Sequence, residues 1–245
     1  MGIKVISPLL IIFLSLVLAT GCTTVKIEGS GNLINKTFEF SDFTIVKVEN
    51  GIHVELNHSS TFNIEITTDD NVMEYIEVNK SGDTLRIRPK ANTTFFSATI
   101  TAKITMPNLY KLELSGGSIA EITGFSSSHD LSVNLSGGSN ISSFITPGYI
   151  TAGDADFNLS GGSYVRLSGS ADDLNVQCSG GSYINLEGFS VSNADIKLSG
   201  GSHATVNVGG TLNVDISGGS EVIYIGEPIL GDIDVSRDSK INQGQ

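Results

Sequence analysis

Tryptophan is absent from the 245 residues, proline occurs five times and cysteine twice. Two cysteines cannot build a disulfide framework, so backbone pairing and apolar stacking must hold the fold. Basic residues are also scarce: 14 Lys and Arg stand against 26 Asp and Glu, a formal charge of −12. Nucleic-acid binding demands clustered Lys and Arg, and this chain excludes it. Adsorption to anionic lipid through a basic patch is excluded for the same reason. The acidic balance itself implies only a soluble surface. Helix-favouring charged repeats are missing as well.

Glycine and serine, by contrast, are organised. Ser-Gly-Gly-Ser occurs six times, beginning at Ser115, Ser136, Ser160, Ser179, Ser199 and Ser217, at spacings of 21, 24, 19, 20 and 18 residues. Ser236-Arg237-Asp238-Ser239 follows 19 residues later as a decayed seventh copy. A period near twenty is the mark of a stacked solenoid. The residue before each motif reads Leu114, Leu135, Leu159, Cys178, Leu198, Ile216, Val235, and the residue two earlier Leu112, Val133, Phe157, Val176, Ile196, Val214, Ile233. Polar residues alternate with these, the pattern of a strand with one buried face. Alternation resumes after the motif, with Ala120, Ile141, Val165, Ile184, Ala204 and Val222 as the first inward positions. The glycine pair then marks a sharp corner needing positive φ or close backbone approach. Each copy reads as strand, corner, strand and looser return. The expected fold is all-β: a single-chain β-solenoid, wound as a right-handed β-helix, with a less regular β-rich N-terminal portion.

One long apolar run exists, from Pro8 to Leu18, preceded by Lys4 and followed by Ala19-Thr20-Gly21-Cys22. A charged start, apolar middle and small-residue end make a secretory signal. Its ending resembles the bacterial lipobox, with Ala19 where Leu is more usual. Cleavage before Cys22 and lipidation of its thiol follow from that resemblance, making residues 1–21 a leader and the membrane a partner through a lipid anchor. The run is shorter than the about twenty residues of a membrane-spanning helix. An ordinary secreted protein cleaved nearby is the alternative. Loss of Lys4 leaves 13 basic against 26 acidic residues. The expected location is the cell envelope, at the outer membrane, and Thr23-Thr24 carries no signal choosing between its faces.

Residues 22–110 lack the tidy repeat yet remain β-rich; residues 111–245 carry the regular coils. Phe43–Val48 and Ile52–Leu56 alternate on either side of the turn signal Glu49-Asn50-Gly51. Phe62–Ile66 is another strand, and Asp69-Asp70-Asn71 stands where it would cap a helical turn over Val72–Ile76. Ser81-Gly82-Asp83 divides a hairpin, and Ala98–Met106 is strand-like.

Gly29–Ile34, Phe43–Val48, Gly51–Leu56, Gly82–Ile87 and Met106–Leu112, together with the Ser-Gly-Gly-Ser repeats, resemble the putative auto-transporter adhesin head family, the GIN domain. The resemblance covers nearly all of the chain after the leader. It implies a β-helical exported domain, common among bacterial lipoproteins, and brings no catalytic residue set.

Enzymes on β-helices need convergent groups, such as paired carboxylates at defined separation. His53, His58, His129 and His203 stand apart without metal-ligand spacing, and no Gly-x-Ser-x-Gly elbow occurs. No cofactor is implied. Cys178 sits in a row of Leu, Ile and Val, as a small core hydrophobe. Four residues before the motifs stand Asp156, Asn175, Asp195, Asn213 and Asp232. Alternate coils put like charges about 9.6 Å apart, near the Debye length, so repulsion is screened. This row reads either as a solvated face built to stack or as a weak divalent-cation site on Asp156, Asp195 and Asp232. Asn134, Asn158 and Gln177 form a possible amide ladder. Just past the corner, Tyr164, Tyr183 and His203 share one outward row, with Arg166 and Asn185 in the next. Aromatic planes beside hydrogen-bonding groups suit a surface glycan or a peptide, whereas stacked rings also stabilise a sheet by themselves. The expected function is a non-enzymatic envelope lipoprotein with an adhesive or glycan- or peptide-binding face. The alternatives are a purely structural envelope protein and, behind it, a polysaccharide-active enzyme.

Overall fold

A computed structural model describes residues 24–142 and 149–244. Cys22 and the leader lie outside them. The chain is a β-solenoid whose coils stack in parallel register. Strands before the motifs form one face: Lys111–Ser115, Leu131–Leu135, Ala155–Leu159, the ends of Ser168–Cys178 and Tyr183–Leu198, then Thr211–Ile216 and Ile229–Val235. Strands after the motifs form a second: Ile119–Thr123, Asn140–Ser142, Tyr164–Arg166, the start of Tyr183–Leu198, then His203–Val208, Glu221–Ile225 and Lys240–Gln243. In the central coils the return closes a third face, where Gly169, Ser170 and Ala171 pair with Phe189, Ser190 and Val191. Period-two alternation sends every second side chain into the tube. Leu112, Val133, Phe157, Val176, Ile196 and Val214 are all buried one above another, as are Ala120, Ile141, Val165, Ile184, Ala204 and Val222. Each such Val, Leu, Ile or Phe contributes about 1.5–3 kcal/mol by leaving water.

The corner has two separate requirements. Both glycines of every complete motif have positive φ, such as 65° at Gly200 and 74° at Gly201. At the first glycine a Cβ would also strike the coil below: one on Gly200 would lie 3.2 Å from the amide nitrogen of Gly180. At Gly201 a Cβ would meet nothing within 4 Å. The motif's second serine is buried and donates its Oγ hydrogen to the first serine's carbonyl, from Ser118 to Ser115 at 2.9 Å through Ser220 to Ser217 at 2.7 Å. That bond satisfies a hydroxyl which burial would otherwise leave costly.

Stacking runs unbroken across residue 110. Ile45–Glu49 pairs in register with Lys111–Ser115, and His53–His58 with Ile119–Thr123. Asn50 (φ 61°) and Gly51 (φ 79°) thereby stand beneath Gly116 and Gly117 as one more corner. Asn is among the few residues other than Gly that accept this conformation. A further coil, Thr84–Pro89 and Ile100–Met106, lies on the other side of it, although later in the chain. There the order turns antiparallel. Ile76–Ser81 forms the expected hairpin with Thr84–Pro89, Asn63–Asp69 pairs with Ile100–Met106, and Leu33–Phe38 pairs with Asn63–Asp69.

Asp69-Asp70-Asn71 does not cap a helical turn, contrary to expectation. Only a 3-10 turn over Met73–Tyr75 forms, its N-cap is Val72, and no side chain caps it. These three residues instead clasp the Gly29–Asn32 loop. Asp69 accepts the amides of Gly31 (2.6 Å) and Thr99 (2.9 Å), while Asp70 accepts Ser30 Oγ and Asn32 Nδ2. Tertiary partners won over the local cap.

At the opposite end Leu230 and Ile233 stack over buried Leu212 and Val214 yet are 49% and 38% exposed, because no further coil covers them among the described residues. The decayed motif closes its turn differently: Ser239 N–H donates to the Ser236 carbonyl, and neither Arg237 nor Asp238 has positive φ.

Candidate ligand face

Each corner delivers the fourth residue after the motif's first serine to the outer surface of the second face. Parallel pairing without a register shift then lines up Asn140, Tyr164, Tyr183, His203 and Glu221. The rings of Tyr164 and Tyr183 are parallel within 5°, with centroids 5.4 Å apart. His203 continues the run, 6.2 Å from Tyr183 and tilted by 30°. Ring pairs at such separations contribute about 0.5–1.5 kcal/mol beyond burial. Arg166, Asn185 and Thr205 form the adjacent row. Arg166 is exposed and forms no ion pair among the described residues. Asn185 spends its Oδ1 on the Glu187 amide at 3.0 Å, leaving its NH2 group outward. Beyond His203 the ridge ends in charge: Glu221 lies 3.8 Å from His203 Nε2 and 3.0 Å from Lys240 Nζ. The five residues expected to make one surface are thus neighbours on it.

Asp156, Asp195 and Asp232 are not brought together. One coil carrying Asn separates each from the next, and the Asn donates Nδ2 to the Asp: Asn175 to Asp156 at 3.0 Å, Asn213 to Asp195 at 2.7 Å. The amide of Asn213 is held in that sense because its Oδ1 accepts the backbone N–H of Asp232 at 2.9 Å. A nitrogen donor thus faces the carboxylate where a cation site would need an oxygen. No group of three or more His, Cys, Asp or Glu suited to a metal occurs among the described residues. Of the expected amide ladder one rung forms, Asn158 Nδ2 donating to Asn134 Oδ1 at 3.0 Å, and Gln177 does not join it. Cys178 is buried at 4% exposure, and burial pushes its thiol up to about 12, out of reach as a nucleophile at neutral pH.

A second rung system escaped the sequence reading. Asp130 Oδ1 accepts the Asp154 amide, Asp154 Oδ1 the Asp173 amide, and Asp173 Oδ1 the Asn193 side chain, whose own Oδ1 takes the Thr211 amide. Its signal was present: Asp130, Asp154, Asp173 and Asn193 all stand six residues before a motif serine.

The sequence profile of the putative auto-transporter adhesin, head GIN domain family matches residues 42–228. The chain belongs to that family. The GIN-domain match opens just before the Ile45–Glu49 strand and closes just before the last coil's Ile229–Val235. None of the curated proteins matches the chain. Among solved structures it is similar to a putative adhesin from Bacteroides fragilis, with a TM-score of 0.78 at 17% identity, covering 89% of this chain and 99% of that one. A putative adhesin from Parabacteroides merdae aligns with a TM-score of 0.72 at 20% identity, covering 91% and 100%. A putative lipid binding protein from Parabacteroides distasonis gives 0.73 at 18%, covering 90% and 100%. At such identities the likeness establishes the GIN-domain fold alone.

Proposed function

We propose that this GIN-domain protein is a lipid-anchored, non-enzymatic binding module of the cell envelope, and that it holds a glycan or peptide on the Tyr164–Tyr183–His203 ridge. The observation that carries this reading is the ring run itself, Tyr164 and Tyr183 in parallel at 5.4 Å with His203 beyond them, bordered by exposed Arg166. Ring edges and hydroxyls with a guanidinium and an amide alongside offer both apolar contact and hydrogen bonds to a hydroxylated ligand. The adhesin description of the family and of its solved relatives agrees with a surface role. Lipidation of Cys22 would tether the domain to the outer membrane. A purely structural role is the second reading, favoured by the same ring contacts, which stabilise the sheet without any ligand.

Replacing both tyrosines by Ser separates the two. In the binding reading, glycan or peptide capture on an array disappears while the melting temperature changes little, because these side chains lie on the outer surface. Unchanged capture would refute the ridge; a far lower melting temperature would favour the structural reading. Mass spectrometry of the N-terminus must find an acylated Cys22, and an unmodified terminus would end the anchor model.

A further inference from the structure

On the other side of the corner, a groove of about 670 Å³ runs along the solenoid from Lys47 to Ser217. That volume lies within the range of ligand sites, about 300–1,000 Å³. The groove spans the coils of Ile45–Glu49 through Thr211–Ile216, which at about 4.8 Å per coil makes it roughly 29 Å long. One wall is the row two residues before each motif, with Asn134, Asn158 and Gln177 at its centre and Lys197 and Asp215 toward the Ser217 end. The other is the row of first motif serines, Ser136, Ser160, Ser179 and Ser199. Leu135, Leu159 and Cys178 turn their side chains inward and are buried, so the floor between the walls is backbone.

Its chemistry is specific. The floor's backbone groups are spent on the ladder, as in Ser160 N to Leu135 O and Ser179 N to Leu159 O, both 3.0 Å. No strand can therefore be added there, and a ligand must be met by side chains. The serine hydroxyls have no hydrogen-bond partner among the described residues, unlike the buried second serines, each of which donates to a backbone carbonyl. The corner does not need a hydroxyl at this position either, since Glu49 stands at the same register in the earlier coil. Six successive copies nevertheless carry Ser. Gln177 and Lys197 are exposed and likewise unpartnered among the described residues, and the central stretch from Asn134 to Gln177 is uncharged. At one end charge is already neutralised, with Lys47 2.9 Å from Glu113.

We propose that this groove binds a linear, uncharged glycan laid along the solenoid axis, each coil offering it a serine hydroxyl on one side and, at the centre, an amide on the other. Uncharged donors and acceptors repeated at a fixed step match a polyhydroxylated chain. A polyphosphate would find no cluster of cations, and vesicle binding tests an acyl chain as the competing occupant. The inference rests on the binding-module reading but assigns a different surface from the tyrosine ridge.

The test measures binding of the full mature chain to uncharged linear oligosaccharides of graded length, with phosphatidylcholine vesicles and an unstructured peptide alongside. Affinity for the glycan rises with chain length until the groove is filled and is insensitive to salt. Ser160→Ala with Ser179→Ala removes two hydroxyls, keeps the corner carbonyls, and lowers affinity about thirtyfold, since each of the two net hydrogen bonds contributes about 1 kcal/mol and 1.4 kcal/mol is tenfold. Asn158→Leu with Gln177→Leu, at unchanged circular dichroism, lowers it as well. Glycan capture that persists in both groove variants but is lost in Tyr164→Ser with Tyr183→Ser belongs to the ridge, so failure of the groove and failure of the ridge are distinguishable. Absence of glycan binding, glycan binding indifferent to both groove variants, or binding confined to vesicles or peptide overturns the proposal.

Discussion

Replacing the two glycines of one corner separately should have unequal consequences. At Gly201, φ is 74° and a Cβ meets nothing within 4 Å, so Ala suffers only from the left-handed backbone. That conformation costs a non-glycine residue about 1–2 kcal/mol. Loss of glycine's freedom in the unfolded chain returns about 0.4–1 kcal/mol. The expected net destabilisation is therefore about 1 kcal/mol. Asn, which tolerates this conformation at Asn50 (φ 61°), should cost less. At Gly200 the same backbone term applies, but the new methyl also lies 3.2 Å from Gly180 N and 3.6 Å from Gly180 Cα. Neither neighbour is a flexible side-chain end, so the coils must part slightly, and overpacking of this kind typically adds about 1–3 kcal/mol. Gly200→Ala should thus cost roughly twice as much as Gly201→Ala or more. Urea unfolding of both variants, compared at constant slope, gives the difference. Equal costs would refute the claim that contact between stacked corners, beyond φ, selects the first glycine.

Cys178 should resist a bulky thiol reagent at neutral pH until the chain unfolds, because burial holds its thiol near 12, and Cys178→Leu should cost less than about 1.5 kcal/mol; rapid labelling of the native protein would contradict the inward register. Glu113 is held below the usual carboxylate range by its hydrogen bond to Lys111 and, after that, by Lys47, with partial burial opposing. Its folded-state value is thus depressed, so its stabilisation is present above the unfolded value and lost as pH falls through the folded one. Wild type should exceed Glu113→Gln by at most about 1 kcal/mol near neutrality, given the solvent exposure of the pair, and the gap should close on acidification below 4.5; a gap that widens there would reverse the assignment.

The ladders of Asp and Asn show how stacking converts a surface row into structure. Isolated carboxylates along one edge would repel, but Asn amides between Asp156, Asn175, Asp195 and Asn213 turn the column into hydrogen-bonded rungs. The same logic places Asn193 between Asp173 and Thr211. A periodic acidic row on a parallel sheet therefore needs no ligand to account for it. The unpartnered serines beside the groove are the contrasting case, since no rung claims their hydroxyls.

What was legible in the sequence is what depends on short-range periodicity. Period-two alternation placed Phe157, Val176 and Cys178 inward, and the glycine pairs announced corners, because strand direction and positive φ are local properties. The outward row of Tyr164, Tyr183 and His203 followed from the same register. Tertiary structure alone decided the rest. Asn50-Gly51 looks like any hairpin turn until Ile45–Glu49 pairs with Lys111–Ser115 and makes it a corner of the stack. Thr84–Pro89 and Ile100–Met106 stack outside a coil that precedes them in the chain, an order set by long-range pairing. Asp69-Asp70-Asn71 would cap a turn as well as clasp a loop, and the nearby amides of Gly31 and Thr99 settled the choice. The groove has no local signature, because it exists only where two outward rows from every coil stand side by side. Local rules write one coil; the distance between coils writes the surface.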